Sequence, residues 1–189
     1  MNTLHSHRLS RCHDSRRASR GLTIVESLAA LATVAVALSS TVPGFKDLRI
    51  KRALEGTASQ LSTDIQHARS LAVSQGAPVR LTVQQLTGGA CYVVHTGHAG
   101  DCSCTALGAV QCGAGALALR SVALPGQQSL RLTSNSASML FDGQRGTVTP
   151  TGSLSLTAED GRALRVVVNI MGRARTCSPG ATVRGYPAC

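Results

Sequence analysis

The spacing of hydrophobic and polar positions changes twice along the chain. From residue 22 to 42, LTIVESLAALATVAVALSSTV, apolar side chains run almost without interruption, with one carboxylate, Glu26, near the start. At 1.5 Å per residue such a helix rises about 30 Å, the thickness of a bilayer's hydrocarbon core, so the run predicts a membrane-spanning segment. It exceeds the apolar stretch of an ordinary secretory signal. Beyond Pro43 and Gly44, where a bend or local melting of the helix is expected, the period becomes amphipathic. Ile50, Leu54, Ala58, Leu61, Ile65, Ala68 and Ala72 recur at alternating spacings of four and three, with Arg52, Glu55, Asp64, Gln66 and Arg69 mostly off the stripe. One long helix over 22–75 is therefore predicted, ending near Ser74 where Gln75, Gly76 and Pro78 stop it.

From Pro78 the period drops to two. PVRLTVQQ sets Val79, Leu81 and Val83 against Arg80, Thr82 and Gln84, which predicts a half-buried strand. CYVVHT, ALALRSVAL, SLRLTS and SMLFD read as further short strands separated by turn residues. SLSLT and ALRVVVNIM flank Glu159, Asp160 and Gly161, a hairpin signal. The last strand is expected to run on through Met171, Gly172, Arg173, Ala174, Arg175, Thr176 and Cys177. The fold class is thus α+β: a long N-terminal helix, its membrane half over 22–42, packed on a mostly antiparallel head over 76–189. His95 and His98 flank the small-residue segment 97–115 and read as polar surface groups.

Composition changes this picture in three ways. Residues 1–21 are polar and basic without periodicity, a leader to be set apart from the fold. Arg8, Arg11, Arg16, Arg17 and Arg20 against Asp14 account for four of the ten net positive charges, which leaves six on the remainder, nearly all arginine. A basic exported domain meets phosphates, anionic lipid heads or acidic partners; with only Phe45, Tyr92, Phe141 and Tyr186 as aromatics, base stacking is not the expected mode. Of seven cysteines Cys12 lies in the leader, and the remaining six suit three disulfides in an oxidising compartment, with fifteen connectivities open. Cys91, Cys102, Cys104 and Cys112 are expected to pair among themselves to restrain segment 97–115, though not Cys102 with Cys104, whose ring would be strained. They lack the paired CxxC knuckles of structural zinc sites. Cys177 and Cys189 enclose a short loop with Pro179, Gly180 and Gly185, and are expected to bridge the tail. No metal or cofactor is expected.

The basic leader, Gly21, the apolar Leu22 and Glu26 at the fifth position after Gly21 resemble the class III signal of type IV pilins and type II secretion pseudopilins. That resemblance implies cleavage after Gly21 by a prepilin peptidase, methylation of the new amino terminus at Leu22, and a role for Glu26 in assembly. Leu22 departs from the usual phenylalanine, whereas Pro43 falls where many pilins kink. The region from Phe141 through GTVTPTGSLSL to VVVNIMGRAR resembles the FimT/GspH branch of minor pilins and pseudopilins. Within it Gly172, Arg173 and Arg175 resemble the GRxR element of FimT-like pilins that bind DNA during natural transformation, and Arg184 adds a further positive charge nearby.

Arginine suits phosphate because its planar fork donates bidentately and always carries charge. If the stretch is extended, Arg173 and Arg175 point the same way, their origins about 6.6 Å apart. Alternatively they pair with Glu159 and Asp160. The resemblance implies a single-pass inner-membrane protein with a periplasmic head, which later joins other pilin subunits in an extracellular filament and captures double-stranded DNA. The second reading is a structural minor pilin or a GspH-like pseudopilin of type II secretion. No GxSxG, HExxH, phosphate-binding glycine loop or paired carboxylate site points to an enzyme. Intact-mass analysis of membrane-extracted protein is expected to show an N-methylated chain beginning at Leu22; Met1 retained in assembled filaments would refute the processing.

Overall fold

The computed structural model describes residues 23–105, 108–126 and 130–189, leaving aside the side chains of residues 40–44. The expected leader and the processing residues Gly21 and Leu22 lie outside the described residues. The chain divides into two units between Pro43 and Gly44.

Helix α1 (Ile24–Gln75) begins in the first unit. Thr23 precedes it, and its Oγ1 accepts a hydrogen bond from the Glu26 amide at 3.2 Å. The T-x-x-E spacing is that of a capping box. Glu26 thus sits in the first helical turn, where its charge favours the positive end of the helix dipole. Every described side chain of this unit is exposed, including Ile24, Val25, Leu28, Leu31, Val34, Val36 and Leu38. Thr33 and Ser39 turn their hydroxyls onto the carbonyls of Ala30 and Val36, each at 2.8 Å, so these polar groups are satisfied within the helix. Among the described residues no helix is long and apolar enough to cross a membrane. Of the span expected over 22–42, only residues 23–39 have described side chains, about 25 Å of helix.

In the second unit the predicted stripe is the buried face of α1. Leu54, Leu61, Ile65, Ala68 and Ala72 are wholly buried, Ala58 nearly so, and Ile50 packs at the margin. The helix ends in a Schellman turn: Gly76 takes φ +62°, its amide bonds Val73 O, and the Ala77 amide reaches Ala72 O. Strands β1 (Val79–Leu86), β2 (Gly89–His95), β5 (Ala118–Pro125), β7 (Ser138–Phe141) and β8 (Val148–Thr149) form one sheet in the order β5-β2-β1-β7-β8. Strands β6 (Leu130–Ser134), β9 (Gly152–Ala158), β10 (Ala163–Val168) and β11 (Ala174–Cys177) form a second, ordered β11-β10-β9-β6. All these ladders are antiparallel. Leu81, Tyr92, Met139 and Phe141 from the first sheet and Leu132, Leu154, Leu156, Leu164 and Val166 from the second meet α1 in one core.

β2 is buried on both faces. Ala90, Tyr92 and Val94 belong to the main core, while Cys91 and Val93 lie under a small ribbon of β3 (Cys102–Cys104) and β4 (Val110–Cys112). Disulfides Cys91–Cys104 and Cys102–Cys112 hold that ribbon to β2 and to itself. They supply the anchoring that a segment rich in Gly, Ala and Ser lacks in apolar bulk. His95 is not a surface group as expected; it is wholly buried, its Nε2 2.8 Å from Thr82 Oγ1 and its Nδ1 2.8 Å from Thr96 O. Pairing of both ring nitrogens makes that burial tolerable. His98 is exposed.

Asp64 also departs from expectation. The sequence places it off the apolar stripe, yet it is only 4% exposed. Its carboxylate accepts from Tyr92 Oη at 2.7 Å and Gln60 Nε2 at 3.0 Å, and pairs with Arg120 Nε at 2.9 Å. Three elements, α1, β2 and β5, are thereby joined through one buried charge, which is stable there only because it is paired. Burial and the hydrogen bond to Asp64 push the Tyr92 hydroxyl well above its ordinary value of 10.0.

Replacing Asp64 by Ala is expected to lower the unfolding free energy by about 1–3 kcal/mol, since Tyr92 Oη loses its buried partner. The denaturation midpoint in urea reads this directly. Because folding raises the Tyr92 pKa, stability is full below pH 10 and falls as pH rises beyond it. Tyr92→Phe should flatten that alkaline decline.

Candidate functional site

The last strand does not run on through residue 177 as expected; the chain reverses between β10 and β11. Asn169 and Gly172 cause the reversal. The Asn169 amide bonds Arg173 O at 3.1 Å, the Gly172 amide bonds Asn169 O at 2.9 Å, and Asn169 Oδ1 accepts from the Arg173 amide at 2.9 Å. Gly172 takes φ +70°, a left-handed conformation that favours glycine. The result is a hairpin whose tip, Ile170 and Met171, is exposed. Ile170 O accepts from the Val148 amide at 2.8 Å, which fixes the tip to β8.

Gly172 is buried, and its environment explains why it carries no side chain. A Cβ there would lie 2.5 Å from Arg69 Cδ and 2.9 Å from Arg69 Nε. Arg69 comes from α1 and donates through Nε to Gly146 O at 3.0 Å. Gly172 is therefore a positioning residue for the hairpin: it sets the turn and admits Arg69 beneath it. Arg69 and Asn169 escaped the sequence reading, although N-x-x-G after an apolar run is itself a turn signal.

Arg173 and Arg175, flanking Ala174, are both exposed. Arg175 lies opposite Val167 on the outer face of the second sheet, while Ala174 packs toward the core. Neither arginine forms an ion pair among the described residues. Asp160, one of the acids considered as their partner, is engaged elsewhere. Arg162 bonds it through Nε at 2.7 Å and NH2 at 2.6 Å, and pairs also with Asp47 at 3.0 Å. The Arg162 guanidinium holds the Asp160 carboxyl below the usual carboxylate range. Glu159 is exposed in the β9–β10 turn.

The tail follows β11. Cys177 and Cys189 are joined, Ser178 is wholly buried, and Val183 belongs to the main core. Thr182 Oγ1 accepts from the Ala163 amide at 3.1 Å, and the Val183 amide donates to Ser178 Oγ at 3.0 Å. These bonds place the exposed Arg184 near the start of β10, whereas Arg173 follows its end. The two ends of β10 are about 17 Å apart. Arg184 is therefore not gathered beside Arg173 and Arg175 by the disulfide, as the sequence reading supposed; the Thr182 and Val183 bonds hold it toward the opposite end of the strand pair.

A family model described as type II transport protein GspH matches residues 57–172, more than half of the chain. Two crystal structures of the type IV minor pilin FimU of Pseudomonas aeruginosa (strain PAO1) are similar, each at 20% identity over 67% of this chain. One is covered over 92% of its length with a TM-score of 0.48, the other over 97% with 0.47. No curated protein matches. The matched family segment ends at Gly172, so Arg173, Arg175, Arg184 and the disulfide-closed tail lie beyond it, and Glu26 lies before it.

Gly172→Ala is expected to cost about 1–2 kcal/mol from the left-handed backbone alone, with displacement of Arg69 in addition. Thermal denaturation measures the loss. Amide exchange should rise first at residues 169–173.

Proposed function

Because the chain belongs to the GspH family of type II transport proteins, we propose that it is a minor pilin whose β10–β11 hairpin binds extracellular double-stranded DNA for uptake in natural transformation. The observation that carries this reading is the pair Arg173 and Arg175. Both are exposed on a hairpin braced by Arg69 and β8, while Asp160, at the opposite end of β10, is held by Arg162. Two guanidinium groups without an ion pair among the described residues, on a rigid support, bind phosphate without first breaking one. Arg184 adds charge at the other end of the strand pair. Such contacts position a duplex without reading its sequence.

The first unit supports the insertion half of the proposal. Its exposed Ile24, Val25, Leu28, Leu31, Val34, Val36 and Leu38 call for apolar surroundings, here the inner membrane before assembly and neighbouring subunits of a retractable filament afterwards. Prepilin peptidase is the proposed processing partner, cutting after Gly21. Glu26, beside the new amino terminus, offsets a neighbouring subunit's terminal charge in low dielectric. No catalytic role is proposed.

A structural subunit, either a priming minor pilin or a pseudopilin of type II secretion, is the second reading. The family description itself favours it. In that case the arginines face a neighbouring subunit, and DNA affinity is absent.

The full chain in detergent, titrated with duplex DNA at several salt concentrations, separates the two. Replacing both Arg173 and Arg175 by Gln should reduce the slope of log affinity against log salt by about 1.8, at roughly 0.9 per lost phosphate contact. The loss should be equal for unrelated sequences, and stability should move by no more than about 0.5 kcal/mol. In cells the double variant should assemble yet take up less DNA. A folded, assembled variant with unchanged affinity and uptake would move the structural reading ahead.

A further inference from the structure

The register of the second sheet places three arginines from distant parts of the sequence on its outer face. Arg175 in β11 lies opposite Val167. Arg165 in β10 lies opposite Cys177 on one side and Ser155 on the other. Arg131 in β6 lies opposite Thr157. Their neighbours in β10, Leu164 and Val166, and in β6, Leu130 and Leu132, are buried in the core, so these arginines face outward. Each sits one step further along the strands than the last. Arg175 and Arg165 are diagonal neighbours on adjacent strands, about 7–8 Å apart. Arg165 and Arg131 are two strands and two residues apart, about 12 Å. Together they form an oblique line of positive charge about 20 Å long, which begins at the hairpin arginines.

Among the described residues the β9 and β6 positions between them are hydroxyl-rich and carry no Asp or Glu, while Cys177, opposite Arg165, bears the disulfide to Cys189. Ser153 and Ser155 of β9 and Thr133 of β6 fill the outward positions beside Val167 and Arg165. Arg165 Nε donates to Ser155 Oγ at 3.1 Å, which lays its guanidinium across the sheet rather than out into solvent. Glu159, in the turn beyond Thr157, is the nearest acid along β9. Hydroxyls and arginines are among the side chains that contact phosphate oxygens, and among the described residues the strands of this face present no aromatic ring for stacking on bases.

We infer that Arg131, Arg165 and Arg175 form a track on the outer face of the second sheet that follows the phosphate backbone of a DNA duplex. This rests on the reading of the hairpin arginines as phosphate contacts, and extends the site from the hairpin across the whole sheet. At about 3.4 Å of axis per charge on one strand, the line spans several successive phosphates.

The test uses the full chain in detergent and duplex DNA at several salt concentrations. Arg131→Gln should lower the salt slope by about 0.9 and the double replacement of Arg131 and Arg165 by Gln by about 1.8, with Arg173 and Arg175 intact. Arg165→Lys, which keeps the charge, should leave the slope unchanged. If Arg165→Lys loses as much as Arg165→Gln, Arg165 acts by bracing Ser155 and the track is refuted. Unchanged slopes in Arg131→Gln and in the double variant, with normal binding by the unaltered protein, overturn the track and leave the hairpin site standing. No DNA binding by the unaltered protein overturns both. Weakened binding to phosphatidylserine vesicles, with DNA binding unchanged, assigns the face to a membrane surface and refutes the inference.

Discussion

The packing of one helical stripe into a core shared by two sheets is the constraint on which the rest of the head depends. Leu54, Leu61 and Ile65 are wholly buried, and burying each large apolar side chain contributes about 1.5–3 kcal/mol. Asp64 lies on that same helix, and its bonds to Tyr92 and Arg120 select which strands lie beneath it. Apolar burial is non-directional, whereas a buried carboxylate requires particular donors in particular places. The stripe therefore drives the packing and the carboxylate sets its register.

The same helix positions the candidate site. One turn beyond Ile65, Arg69 reaches out of the stripe to Gly146 and passes under Gly172. The hairpin is thus supported by a rigid element through a charged side chain whose stem is packed against backbone. Arg173 and Arg175 stand exposed on the hairpin held this way.

Charge pairing inside the head explains why a moderately basic protein presents a strongly basic face. Glu55 pairs with Lys51, Asp64 with Arg120, and Asp47 and Asp160 share Arg162. Asp142 accepts the amides of Gln144 and Arg145, which hold its carboxyl below the usual range. With these carboxylates engaged in α1 and the turns, Arg165 and Arg175 form no ion pair among the described residues, and Glu159 is the acid closest along β9 to Arg131. The segment matched by the family model ends at Gly172. Arg131 and Arg165 thus stand within the matched segment, and Arg173, Arg175 and Arg184 beyond it.

Local periodicity was legible without a structure. The alternating spacings from Ile50 to Ala72 mark the buried face of α1, and Val79, Leu81 and Val83 mark that of β1, because a side chain's face follows from its position in a regular backbone. Gly76 and Pro78 place the helix end for the same reason. Features set by residues distant in sequence were not legible. Asp64 and His95 are buried because Tyr92, Arg120 and Thr82 arrive from other elements, and polarity alone assigned both to the surface. The brace beneath the Asn169–Gly172 turn comes from Arg69, a hundred residues earlier in the chain. Arg173 and Arg175 stood out as a local motif; that Arg131 and Arg165 lie in line with them was decided only by the pairing of β6, β9, β10 and β11. Strand register depends on which chains meet, and no window of sequence contains both partners.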